Sequence, residues 1–309
     1  MNNRSHNSTH PVTARSNRFH AAALSTAMTA ALLASPLSQA LEISPGDYEP
    51  LPDQLNLAIL YLNTTSGKEL YSDGKKVNDN FKLDTQVAIV RLLHNIDLAN
   101  GVKMEPQVVI PSGSLKTSGD ADVLGDASGL GDIIFGLPFK WTLEGDSKNV
   151  FALAPFVYAP TGNYDKDQAL NMGENRWRFL LQSTYIHHFN SQWALDSAVD
   201  VSKTTTNSDF NGGQSDLKQA TRYELQSYLR YDLGGGNLLG AGFGHIGGAE
   251  REVDGVNQDD ALSTTYFRAT LSYFVAPQWQ LQGLVGKDVK VEEGIKQDFQ
   301  GQLRITRVF

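Results

Sequence analysis

A chain of 309 residues with a formal net charge of -8, 40% hydrophobic and 19% charged, is of ordinary globular composition, and its size fits one large domain or two. The acidic balance argues against nucleic acid as a partner, and the lack of cysteine excludes a disulfide framework, a thiol nucleophile and a Cys-ligated metal. No run of about 18 or more apolar residues follows the first 40, so a membrane role, if there is one, falls to strands.

The chain opens with Arg4, Arg15 and Arg18 and no acidic residue, then the small and apolar run Ala21 to Ala34, then Ser38-Gln39-Ala40 as a small-x-small cleavage site. Residues 1–40 therefore read as a cleaved signal peptide, 41–53 as a short periplasmic leader and 54–309 as the folded unit. Removing three arginines leaves 23 basic against 34 acidic residues, a formal charge of -11.

From residue 54 onward the sequence breaks into about twelve period-two segments: 54–63, 81–94, 102–111, 130–143, 150–160, 176–188, 192–202, 219–232, 237–246, 262–275, 278–288 and 297–309. Each is close to the 9 to 11 or so residues that cross a bilayer at a tilt. The sixth is clearest, with Trp177, Phe179, Leu181 and Tyr185 alternating with Arg176, Arg178, Gln182, Thr184 and His188. In the eighth, Tyr223, Leu225, Leu229 and Tyr231 oppose Arg222, Glu224, Gln226 and Arg230. The tenth sets Phe267, Ala269, Leu271, Tyr273 and Val275 against Thr264, Tyr266, Arg268, Thr270 and Ser272. The last, DFQGQLRITRVF, puts Phe299, Leu303, Ile305 and Phe309 on one face and Gln300, Gln302, Arg304 and Thr306 on the other.

Connections alternate in length. Long ones fall at 64–80, 112–129, 161–175, 203–218, 247–261 and 289–296; short ones include Glu144 to Asn149, Asn190-Ser191, Leu233 to Gly236 and Ala276-Pro277. Tight periplasmic turns and longer external loops are the pattern of outer-membrane barrels. The fold class expected is all-β: a transmembrane, up-and-down antiparallel β-barrel of about twelve strands, with ten or fourteen as alternatives. Its partners would be outer-membrane lipid and lipopolysaccharide, and the barrel-assembly machinery during insertion, for which the terminal Phe309 serves as the signal.

Motif reading favours structure over chemistry. Ser128-Gly129-Leu130-Gly131-Asp132 looks like a phosphate loop but leads into the strand-like Ile133, Phe135, Leu137 and Phe139, with no helix amino-terminus to hold an anion. The adjacent His187 and His188 point to opposite faces of one strand and cannot jointly hold a metal. Glu250, Glu252, Asp254, Asp259 and Asp260 lack calcium-loop spacing and read as solvated loop charge. With no GxSxG elbow or HExxH helix, neither an enzyme nor a cofactor or metal is expected.

The set SGLGD at 128–132, PTGNYD at 160–165 and NMGENRW at 171–177, with GDYEPLP near the start of the exported chain and PQVVIPSG at 106–113, resembles the family of phenol-degradation (meta-pathway) outer-membrane proteins, often called transporters. The resemblance spans most of 46–309 and implies an outer-membrane barrel without established catalytic residues. Arg307 departs from it, standing where an apolar residue is expected; the arginine can snorkel to the periplasmic headgroups. What the resemblance implies is passive uptake of small hydrophobic or aromatic molecules; the alternative is a surface protein whose external loops bind lipopolysaccharide or a partner. The residues expected to line the lumen are Asp132, Arg176, Arg178, Gln182, Arg222, Glu224, Arg230, Arg268 and Arg304. Gating falls to loops 112–129 and 161–175, or to the leader.

Overall fold

Backbone N–H and C=O groups left unpaired in lipid each cost several kcal/mol, so a sheet crossing a membrane must close on itself. The computed structural model describes residues 42–309 apart from 144, 146 and 147, and its sheet is closed. Its strands are β1 (Asn56–Ser72), β2 (Phe81–His94), β3 (Gln107–Gly119), β4 in two pieces (Ile133–Gly136 and Phe139–Thr142), β5 (Val150–Ala159), β6 (Arg178–His188), β7 (Trp193–Thr204), β8 (Arg222–Gly234), β9 (Asn237–Gly248), β10 (Leu262–Ala276), β11 (Trp279–Val291) and β12 (Gly294–Val308). Each pairs antiparallel with its sequence neighbours. β12 then pairs with β1 from Leu57↔Val308 to Tyr71↔Gly294, completing a barrel of twelve strands. The interruption in β4 falls at Leu137-Pro138, where proline has no N–H to give the ladder. The signal peptide expected at 1–40 lies outside the described residues.

Side-chain alternation sets the two surfaces. Phe179, Leu181, Val199, Val201, Leu225, Leu229, Leu271 and Leu303 stand exposed on the outer wall, while Arg178, Gln182, Asp200, Glu224, Arg230 and Arg268 are buried on the inner one. So large an apolar belt on the outside is intelligible only against lipid. Near the periplasmic turns it ends in aromatic contacts, such as Trp193 with Tyr231 at 4.8 Å and Trp141 with Phe151 at 5.7 Å. Arg307 lies over the rings of Trp279 (4.9 Å) and Phe309 (5.4 Å), consistent with an arginine at the headgroup level.

Several boundaries differ from expectation. β1 and β3 run on to Ser72 and Gly119 through stretches expected as loops, and the expected long connection at 289–296 is only the turn Glu292-Glu293. The outer ends of β1, β2 and β3 reverse the polarity of the belt: Thr65, Leu83, Thr85 and Leu115 are buried inside, and Lys68, Lys82, Asp84, Gln86 and Lys116 face out. A strand rising above the hydrocarbon into water follows the soluble rule of apolar inside and polar outside, which in sequence reads as loop. The acidic loop at 247–261 is also less solvated than expected. Asp260 is buried, accepting from Arg251 Nε at 2.7 Å; Glu252 pairs with Lys218 at 2.9 Å; Asp254 accepts the Asp216 N–H at 2.8 Å. These contacts hold a small external sheet made from Asn207–Phe210, Ser215–Gln219, Arg251–Val253 and Val256–Asn257.

The carboxy-terminus is tied to the closing seam, with the Phe309 N–H donating to Asn56 O at 2.9 Å. Deleting Phe309 removes that bond and the exposed terminal ring. Heat-modifiable barrel recovered from outer membranes is expected to fall several-fold, while the conductance of whatever assembles stays unchanged; normal recovery would remove Phe309 from assembly.

Candidate functional site

The lumen is not an open bore. The segment Glu42–Pro52, expected as a periplasmic leader, instead runs inside the barrel and turns into β1 at the periplasmic rim, where Asn95 Nδ2 donates to Leu51 O and Pro52 O. Residue by residue it is bonded to the wall. The Ile43 N–H donates to Gln226 Oε1 (2.9 Å), the Gly46 N–H to Asp196 Oδ2 (2.6 Å), and the Tyr48 hydroxyl to Gln182 Oε1. Lys140 Nζ donates to Asp47 O (3.0 Å) and Glu49 O (3.2 Å), and is itself paired with Glu105 at 2.7 Å.

Each carboxylate of the segment Glu42–Pro52 meets a wall cation. Glu42 lies 3.3 Å from Arg268 Nε, Asp47 lies 2.6 Å from Arg304 Nη1, and Glu49 pairs with Arg230 and with His188 Nε2 at 2.8 Å. Such pairing is needed because a charge held out of water without a partner is strongly unfavourable. Gly240 permits the approach: a Cβ there would lie 3.0 Å from Pro45 Cβ.

The leader divides the lumen into two chambers. The upper is lined by Glu42, Arg178, Arg222, Glu224, Arg268 and Asp288 together with Leu83, Ile246, Leu262 and Ile295. The lower, which is roomier and open to the periplasm, is lined by Glu49, His188, Arg230, Trp193 and Phe274 among others. The inner wall is also divided by polarity. Phe81, Leu83, Val87, Ile89, Val109, Ile134, Ala152 and Phe156 on β2–β5 form a continuous apolar cluster with Ile43 and Tyr48 of the leader. The charged residues concentrate on β6–β12. Both loops expected to fold inward do so, burying Ala121 and Leu124, and Leu170 and Met172, against that cluster.

Three of the motifs behind the family resemblance, SGLGD, PTGNYD and NMGENRW, converge at the external mouth. Asp132 accepts the N–H groups of Gly162 and Glu174, each at 2.9 Å; Asn163 exchanges bonds with Leu130; Gly173 donates to Asn163 O at 2.9 Å. A Cβ on Gly162 would meet Gly173 Cα at 2.7 Å and Gly131 C at 2.8 Å, so these glycines let three backbone segments touch. Glu174 pairs with Arg176 Nε at 3.0 Å and with Arg178 Nη2. Burial alone would raise its carboxyl, but Arg178 and Arg176 bring it down to about 2.

Of the residues expected in the lumen, Arg178, Gln182, Arg222, Glu224, Arg230, Arg268 and Arg304 lie on the inner wall, and Asp132 and Arg176 in the external loops. Arg230, Arg268, Arg304 and Gln182 are brought together by the leader; Arg222 pairs with Glu224 at 2.8 Å. Sequence reasoning missed Arg91, Lys140, Asp196, Asp200, Gln226 and the leader's own carboxylates. Lys140 between Phe139 and Trp141, and Asp196 and Asp200 two steps of alternation apart, carried a legible signal; the leader carried none.

Glu174 is 19% exposed, so replacing it by Gln is expected to cost about 2 kcal/mol, below the range for breaking a fully buried pair. The readout is a lower urea midpoint for the barrel in micelles. Because the folded carboxyl titrates near 2 against an ordinary 4.5, this contribution is complete above about pH 5 and is lost as pH falls toward 2. Wild type and Glu174→Gln should therefore converge only in strong acid.

A solved outer-membrane channel from Pseudomonas putida F1 is 40% identical, covers 87% of this chain and 100% of its own, and superposes with a TM-score of 0.85. Far more distant are the β domain of the Bordetella autotransporter Brka (11% identical, TM-score 0.49, 83% of this chain and 100% of that one) and the CymD monoaromatic hydrocarbon channel (9%, 0.43, 84% and 89%). Among curated proteins none matches. The sequence profile described as "Putative MetA-pathway of phenol degradation" matches residues 66–304. A match over that length, with a near relative that is an outer-membrane channel, makes this chain a member of that family, a β-barrel of the Gram-negative outer membrane.

Proposed function

We propose that the barrel passes small hydrophobic or aromatic molecules into the periplasm without an energy source, the leader acting as the obstruction that must yield. The observation that carries this reading is the two-sided lumen: an apolar cluster on β2–β5 faces a polar wall on β6–β12, with a chamber above and below the leader. An aromatic solute with one polar substituent is matched by such a surface, whereas a fully hydrated ion or sugar gains nothing from Phe81, Leu83 and Val87. The family's link to phenol breakdown supports the same class of solute. The wall arginines hydrate the polar side, brace it through ion pairs and set a weak selectivity.

The test is uptake of benzoate at limiting concentration by whole cells with and without the protein. A several-fold slower uptake on deletion, restored by the wild-type gene and only partly by Leu83→Asn, is expected. Unchanged uptake would favour a surface protein that binds lipopolysaccharide or a partner through its external loops.

A further inference from the structure

The segment Glu42–Pro52 inside the barrel contains Glu42, Asp47 and Glu49 and no lysine or arginine, and all three carboxylates sit on wall cations. The arginines they meet are buried on three different strands, β8, β10 and β12. Arg268 lines the upper chamber and Arg230 the lower, with Arg304 paired to the leader between Glu42 and Glu49 in sequence. Arg268 Nε and Arg304 Nε are buried and have no hydrogen-bond partner, Arg268 Nε having only its 3.3 Å ion pair to Glu42. A guanidinium presents a fork that matches a carboxylate, and these two forks are incompletely used.

If the leader withdraws, its three negative charges go with it; Arg230 keeps its wall partner Asp196, but Arg268 and Arg304 are left in a partly dry bore without a paired carboxylate. Unpaired buried cations are strongly unfavourable, so withdrawal is opposed unless other anions replace the leader's. Lys140, whose Nζ donates to two leader carbonyls, loses those acceptors in the same step.

We propose that Arg268, Arg304 and Arg230 form a carboxylate-binding track, that the leader occupies it as a built-in stand-in, and that small organic acids are the solutes which displace it. This rests on the channel reading above and narrows its solute class. Entry is by the upper chamber, where an acid's carboxylate takes the Glu42 position on Arg268 while its ring meets Leu83, Ile246, Leu262 and Ile295. The leader then competes with solute for the same arginines, so weakening the leader's charge strengthens solute binding.

The test uses the whole exported protein in micelles, titrated calorimetrically with benzoate and with benzyl alcohol, its uncharged counterpart. Benzoate is expected to bind a Glu42→Gln/Asp47→Asn/Glu49→Gln variant about tenfold or more tighter than wild type, while benzyl alcohol changes less than about twofold. Adding Arg268→Gln to that variant should remove the gain. In planar bilayers under a potassium chloride gradient, the neutralised-leader variant should shift its reversal potential toward anion selectivity, a readout independent of any Arg268 variant. Equal binding of the two probes, an unchanged benzoate affinity after leader neutralisation, or an unshifted reversal potential would overturn the track. Those results with benzoate uptake still dependent on the protein defeat the track alone; loss of that dependence defeats the channel reading instead.

Discussion

The structure depends on one constraint: in a bilayer every strand edge must be paired, and β12 meets that constraint by joining β1. Closure forces an inner surface, and the period of two assigns alternate residues to it whatever their chemistry. Arg178, Arg222, Arg230, Arg268 and Arg304 are thereby turned away from lipid and must be neutralised across a narrow lumen. Part of that neutralisation comes from the wall itself, as between Arg222 and Glu224 or Arg230 and Asp196. The rest comes from a separate piece of chain, the leader.

A plug held by apolar packing alone would be hard to move without exposing its surface. This leader has an apolar side, Ile43 and Tyr48 against the β2–β5 cluster, and a charged side, Glu42, Asp47 and Glu49 against arginines. Its charged contacts can be exchanged one anion at a time, and the chambers above and below give solute access to either end of it. The external mouth is built differently. There Asp132, Gly162, Gly173 and Glu174 knit three loops through backbone bonds and glycine contacts that leave little room for exchange. Rigidity is placed at the mouth and exchangeable bonding in the lumen.

The barrel was legible in sequence because lipid imposes a one-sided rule on long strands. Phe179 against Arg178, Leu225 against Glu224 and Leu271 against Arg268 display it directly. The rule fails where lipid ends: Lys68 outside with Leu70 inside on β1, and Lys116 outside with Leu115 inside on β3, obey water instead, which is why the outer parts of these two strands read as loops. Wall arginines could be chosen by alternation, but their partners could not. Glu42 lies more than 180 residues before Tyr228, to which it is hydrogen-bonded, and a segment punctuated by Pro45, Pro50 and Pro52 has no period from which to infer a face. The close approach of Gly162 to Gly173 and Gly131 follows from the fold, and only the fold shows that SGLGD, PTGNYD and NMGENRW meet.

The most direct measurement concerns where the leader sits in the assembled protein and whether solute passage requires it to move. Because the chain has no cysteine, a Pro45→Cys/Gly240→Cys pair introduces the only two thiols, at positions whose Cβ atoms, with one built on Gly240, lie 3.0 Å apart, so that a shift of about half an ångström brings them to the roughly 3.5 to 4.5 Å of a disulfide. Near-complete oxidation to a crosslink in outer-membrane barrels, with benzoate uptake lost when oxidised and restored by reductant, is the outcome expected. Failure of the thiols to crosslink, or uptake indifferent to the crosslink, would contradict a lumen closed by its own leader.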